Sequence, residues 1–311
     1  MIIRKEYSER IISKIREKLE NIDLLLQHNV SVVVTGSFGR NEASDISDMD
    51  WFIISQSILP EDTSKEIKEQ VTTIVNTLVK KNVGSTGTFG GVITQNELLH
   101  NFCGSNETNQ ELTRRMLYLL ESTWLFNEVL FKSTKNDILN TYIKSDISDS
   151  GLNRFMLNDV IRYYRTICTD YEYKTTQDGK EWGVRKIKLR FSRKLLYFSG
   201  LITVASTCNY TRDDKIEKTS ELLNLSPIDR IQKIIGNTET TRMMDYYAEF
   251  LKKISTDSIR NSLDSVKREN RHENSDYRYL KNLSQHFNWE MEKCFFDEFP
   301  SSHPIHAAMI F

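Results

Sequence analysis

The chain lacks most of the residue patterns that mark specialised sites. Its four cysteines, Cys103, Cys168, Cys208 and Cys294, lie far apart and form no Cys-x-x-Cys pair, which argues against a zinc centre and fits buried thiols in a reducing compartment. The six histidines contain no His-x-x-x-His pair, and the His303/His306 spacing falls in a Pro-containing tail where metal binding is not expected. Charge of one sign is missing too: 42 Lys and Arg against 43 Asp and Glu leave a net charge of -1, so no global field steers the chain to nucleic acid. No long hydrophobic run opens the sequence. MIIRKEYSERIISKIREKLE mixes apolar and charged residues at helical spacing, without the apolar core or small-residue cleavage site of a signal peptide, so neither leader nor membrane anchor is expected and the expected location is cytoplasmic.

What is present suits two packed units. Hydrophobic content of 39%, with 15 Phe, 13 Tyr and 4 Trp over 311 residues, can build real cores. Ile11, Ile15, Leu19, Ile22 and Leu26 recur at helical spacing, a strand is predicted over 31–35, a second buried strand over 51–54, and the series Ile67, Val71, Ile74, Leu78 predicts a helix started near Pro60. VGSTGTFGGVIT, residues 83–94, reads as one or two short strands around a glycine turn. From Asn109 on, the pattern turns helical, and the sheet is expected to have ended. The polar stretch KSDISDSG, residues 144–151, marks the expected boundary. The fold class expected is an α/β (α+β) unit with a short mixed sheet over 1–145, followed by an all-α unit over 146–311. Helices are predicted there over 154–171, 185–207, 228–235, 241–263 and 277–298.

The richest stretch is VVVTGSFGRNEASDISDMDWFIIS, residues 32–55. Period-two geometry puts Asp48 and Asp50 on one face of a strand, with Met49 and Trp51 on the other. Two carboxylates forced together repel unless a cation joins them, and hard divalent ions take such ligands while keeping positions for water and phosphate oxygens. Gly36, Ser37 and Gly39 let backbone N–H groups and a hydroxyl come close to an anion, and Arg40 carries charge suited to a phosphate. An Asp-x-Asp pair by itself is usually a solvated strand end or turn; the conjunction with the glycine-serine turn points to a bound polyphosphate. A P-loop is excluded because no Gly-Lys-Ser/Thr follows the turn, and a Rossmann fingerprint because Gly-x-Gly-x-x-Gly is absent.

GSFGRNEASDISDMD, residues 36–50, resembles the Gly-Ser-x-Gly-Arg-x-Glu and Ser-Asp-x-Asp signature of the DNA polymerase β-like nucleotidyltransferase superfamily, without a gap. Within it, the chain is similar to the bacterial PII-protein uridylyltransferase group and related nucleotidyltransferases of unassigned substrate. TRRMLYLLES, residues 113–122, looks like the helix after the catalytic sheet, and WGVRKIKLRFSRKLL, residues 182–196, like the helical Lys/Gly/Arg segment. The likeness covers about 30–200 and is strong in the first motif. It implies metal-dependent transfer of a nucleoside monophosphate from an NTP to an acceptor, with pyrophosphate leaving. Asp48 and Asp50 would hold Mg²⁺ or Mn²⁺, Gly36 and Ser37 would grip the triphosphate, Arg40 would position it or brace the turn, and Ser47 would shape the approach to Asp48. Glu42 is expected to partner Arg40. A protein acceptor is preferred over RNA or a small molecule, and no membrane partner is expected. The sequence departs from the family in one respect: the third carboxylate would fall near Gly87, and Glu97 and Glu107 are the nearest acids. Without it, the alternative is a catalytically weak NTP-binding module.

In the second half, Arg185, Lys186, Lys188, Arg190, Arg193 and Lys194 form a basic cluster. Helical spacing places Lys186, Arg190, Arg193 and in part Lys194 on one stripe. A solvated basic face accounts for that. Beside a nucleotide site, Arg185, Lys186 and Arg193 are equally expected to face the triphosphate, with Arg162 and Arg165 joining them and Tyr163 or Trp182 available to stack a base.

Overall fold

The computed structural model of the protein describes residues 2–80 and 90–310. The Gly87 position and most of the glycine-rich stretch before Val92 lie outside them. The chain divides into two compact units, one of Met1–Asp146 with Ile216–Ser226, the other of Ile147–Lys215 with Pro227–Phe311. Neither is continuous in sequence.

The first unit is a mixed α/β layer. Strands β1 (Val30–Val34), β2 (Trp51–Ser55), β3 (Val92–Thr94) and β4 (Thr123–Phe126) form one sheet in the order β3-β2-β1-β4. β1 runs antiparallel to β2 and to β4, while β2 and β3 are parallel. Every residue of β1 and β2 is buried. This is why both read as near-continuous apolar runs: helices cover the two faces, so no solvent face imposes alternation. On one face Val30, Val32, Val34, Trp51 and Ile53 pack with Ile11, Ile15 and Leu19 of α1 (Ile2–Leu19) and with Ile67 and Val71 further along. A short α2 (Asp23–Gln27) leads into β1, α3 (Gly36–Gly39) follows it, and α4 (Glu61–Leu78) carries Ile67 and Val71 after β2. α5 (Gln95–Leu99), α6 (Asn109–Glu121) and α7 (Glu128–Tyr142) complete the main run. On the other face Phe52 meets Tyr118 of α6, whose hydroxyl donates to the Phe131 carbonyl of α7 at 2.6 Å.

β4 corrects the expectation that the sheet ends before Asn109. Four residues between two helices are too few to break the helical stripe in sequence. Their strand conformation is fixed by pairing with β1, across a bulge at Val32/Val33, and by Ser31 Oγ, which donates to the Phe126 carbonyl at 2.9 Å. The first helix also ends earlier than its apolar series, at Leu19, and α2 takes up the remainder.

The second unit is helical throughout its described residues: α8 (Arg154–Thr176), α9 (Trp182–Lys188), a π-helical turn over Leu189–Arg193, α10 (Lys194–Ser206), the start of α11 (Arg212–Leu223), α12 (Pro227–Ile235), α13 (Asn237–Ile254), α14 (Asp257–Asp264), α15 (Ser275–Glu298) and α16 (Pro304–Ile310). The helix expected over 241–263 is two, parted at Ser255 and Thr256. Most of α11 belongs with the first unit, where the Lys135 ammonium donates to the Leu223 carbonyl at 3.1 Å and Ser220 Oγ to Asn136 Oδ1 at 3.0 Å. Of the cysteines, Cys208 and Cys294 are buried, Cys168 is half-buried and Cys103 is exposed, so burial is not general. Among the described residues no helix is long and apolar enough to cross a membrane.

Ile53 is fully buried at the centre of the sheet. Ile53→Ala is expected to cost about 2–5 kcal/mol, the usual range for a large-to-small change in a core, read as a shift of the urea midpoint at unchanged slope.

Candidate functional site in the glycine-serine turn

The register of two strands builds the site. Val34 pairs with Trp51, so the chain leaving β1 and the chain entering β2 lie side by side. The Thr35 N–H accordingly donates to the Asp50 carbonyl at 2.8 Å. Asp48 and Asp50 precede the strand rather than sitting within it, yet the predicted alternation persists: Asp48 is exposed, Met49 fully buried, Asp50 half-buried and Trp51 buried. Burial of Met49 and Trp51 in the core turns both carboxylates the other way.

Gly36 meets Asp50 directly. Its φ is +68°, in the left-handed region, and a Cβ there would lie 2.9 Å from Asp50 Oδ2. Any other residue would be strained by its backbone and would crowd the carboxylate. Gly39 is constrained differently: a Cβ would fall 2.0 Å from the Glu121 carbonyl oxygen. The turn is thus pressed onto the end of α6. Ser37 is the one partly exposed residue from Gly36 to Arg40, which leaves its side chain as the part of the turn that reaches solvent.

A buried ion network fixes this turn. Arg40 Nε donates to Glu42 Oε2 at 2.8 Å and its Nη1 to Glu121 Oε2 at 2.5 Å. Arg40 is 8% exposed, Glu42 2% and Glu121 3%. Glu121 Oε1 also accepts the Gly36 N–H at 3.3 Å. One guanidinium between two carboxylates braces the turn from both sides, and the Arg4 guanidinium donates to the Glu42 carbonyl of the same turn at 2.6 Å. Asn41, at φ +59°, closes the turn, and the Glu42 N–H returns to the Ser37 carbonyl at 2.8 Å. Ser47 shapes the next bend: its Oγ accepts the Ser44 N–H at 3.0 Å, one residue before Asp48.

The two acids considered for a third ligand are engaged elsewhere. Glu97 closes a capping box on α5, its Oε2 accepting the Thr94 N–H at 2.6 Å. Glu107 is buried against the Arg115 guanidinium. Among the described residues no group of three or more His, Cys, Asp or Glu side chains is arranged as metal ligands.

The basic residues of the second unit part company. Lys186, Arg190 and Trp182 line one cleft of that unit. Arg185 and Arg193 do not: Arg185 Nε lies 3.8 Å from Glu181 Oε2, and the π turn displaces Arg193. A π turn holds an extra residue, so everything after it is rotated away from the stripe that α-helical spacing predicts. Arg162 pairs with Asp159 at 2.5 Å, and Tyr163 is 1% exposed, a core side chain with no face for a base.

Sequence reasoning missed Glu121. Its signal was there: a lone acid at the end of the apolar run MLYLLE is a buried charge in need of a partner. Compared with known protein families and with curated proteins, the chain matches none.

Arg40→Met would remove the guanidinium that two buried carboxylates bond and is expected to lower stability by about 3–5 kcal/mol. Gly39→Ala is expected to cost about 3 kcal/mol through overpacking. Ser37→Ala should stay within about 0.5 kcal/mol of the parent. Chemical denaturation of the three variants side by side checks the order.

Proposed function

We propose that the chain is a metal-dependent nucleotidyltransferase, moving a nucleoside monophosphate from an NTP to an acceptor with release of pyrophosphate. The observation that carries this reading is the Asp50 carboxylate set against the bare Cα of Gly36, with Asp48 exposed two residues before it. Two carboxylates are the hard oxygen donors that Mg²⁺ or Mn²⁺ takes, and as a pair they leave coordination positions for water and phosphate. Asp48 and Asp50 would hold the ion. A bound ion supplies charge neutralisation on the transferring phosphate and a template for in-line displacement. Gly36 leaves room for the Asp50 carboxylate against the backbone, and Ser37, the partly exposed residue of the turn, offers a hydroxyl to a phosphate. Arg40, engaged by Glu42 and Glu121, keeps the turn in shape. The protein acceptor, preferred over RNA or a small hydroxyl compound, rests on the uridylyltransferase resemblance.

One observation favours a second reading, an NTP-binding module with little catalytic power. Glu97 and Glu107 are both committed to other partners, and residues 81–89, KNVGSTGTF, contain no acid. Without a third carboxylate, deprotonation of an acceptor hydroxyl loses its base.

Incubation with Mg²⁺ or Mn²⁺, each labelled NTP in turn and cell extract separates the readings. Transferase activity puts α-label and never γ-label on an acceptor, since attack at the α-phosphorus expels the other two phosphates together, and Asp48→Ala/Asp50→Ala abolishes transfer while the protein stays folded. Tight NTP binding without transfer to any acceptor would establish the module instead. Label from the γ position would overturn both.

A further inference from the structure

The second unit carries a feature that the glycine-serine turn does not explain. A cleft of about 190 Å³ is lined by five cations, Lys186, Arg190, Arg268, Arg271 and Lys281. One acid, Glu172, stands with them, and it is taken by Arg268 at 2.9 Å. All belong to the same unit.

Three segments bring these charges together. Trp182, Lys186 and Arg190 recur every four residues along α9 and the π turn, and Tyr277 and Lys281 do so on α15, so each set faces one way. Arg268 and Arg271 come from the turns between α14 and α15, where the Arg271 guanidinium donates to the Arg268 carbonyl. Gly183 allows the approach: a Cβ there would lie 2.3 Å from the Leu263 carbonyl oxygen and 2.9 Å from Val266 Cβ. α9 can therefore press against the end of α14 and carry its basic stripe under the arginine turn.

Like charges gathered in a concave site are unfavourable unless an anion joins them. The strain is visible in the side chains. Burial, with Arg190 alongside, pushes the Lys186 ammonium below the ordinary lysine range, and Lys194 is lowered in the same way. Arg190 Nη1 reaches Ser284 Oγ only at 3.4 Å, and its buried Nε has no hydrogen-bond partner among the described residues. A solvated basic face would spread such groups into water; here they converge. Trp182 and Tyr277, with ring centroids 5.3 Å apart and planes inclined by 42°, give the cleft an aromatic wall. A nucleic-acid strand calls for a basic track that follows its backbone, whereas this cluster is compact.

We propose that this cleft binds an oligophosphate group of a small molecule, with Lys186, Arg190, Arg271 and Lys281 meeting the phosphate oxygens and Arg268 held in place by Glu172. The site stands on the second unit's own residues and is independent of the Asp48/Asp50 reading.

Inorganic tripolyphosphate is the probe, titrated by calorimetry into full-length protein carrying Asp48→Ala/Asp50→Ala, with chelator present so that metal-dependent binding contributes nothing. One-to-one binding that weakens with salt is expected, with affinity falling about tenfold or more in Lys186→Ala/Lys281→Ala, since a charge-assisted hydrogen bond is lost at each position. Circular dichroism verifies the fold of each variant, and Arg271→Ala/Lys281→Ala, changed only at the cleft rim, carries the test if the first pair does not fold. Absence of tripolyphosphate binding, or unchanged affinity in a folded variant, would overturn the proposal. A short oligothymidylate that binds more tightly than tripolyphosphate through the same residues would overturn the small-molecule assignment and make the cleft a single-strand site.

Discussion

Arg40 sits between Glu42 and Glu121, and the geometry around the candidate site depends on that arrangement. A guanidinium taken out of water is costly alone, and so are two carboxylates; together, at 2.5–2.8 Å, they satisfy one another. The network joins the turn after β1 to the last residue of α6, far away in sequence. Gly39 makes the join possible because its missing side chain lets the turn lie against the Glu121 carbonyl. Gly36 then projects beside Asp50, and the antiparallel register of β1 with β2 fixes how far.

The charge balance of this corner bears on its chemistry. Glu42 and Glu121, both buried, are bonded to the buried Arg40, while Asp48 is exposed and Asp50 half-buried. The cleft of the second unit is lined by five cations and one acid. That local imbalance vanishes in the whole-chain net charge of -1, which is why composition pointed to no partner.

Much of the fold was legible because burial repeats at the period of the element. The apolar series of α1 and α4, the continuous runs of β1 and β2 and several helices of the second unit lie where that pattern puts them, to within a few residues. β4 was not, because four residues inside a helical stripe carry too little pattern and only the partner strand makes them extended. The break at Ser255 and Thr256 was hidden for a similar reason: the apolar series runs on through it.

The site divides along the same line. The spacing of Gly36, Ser37, Asp48 and Asp50 was set by the sequence itself, since a strand, a tight turn and a second strand leave few ways to arrange fifteen consecutive residues. Met49 and Trp51 as core residues turn the acids outward whatever else the chain does. Glu121 as partner of Arg40, and the meeting of Arg271 and Lys281 with Lys186, were decided by tertiary structure alone. No local period relates those groups: Arg40 and Glu121 are united by opposite charge once packing has removed the water, and the three cations by the packing of α9, α14 and α15 against one another.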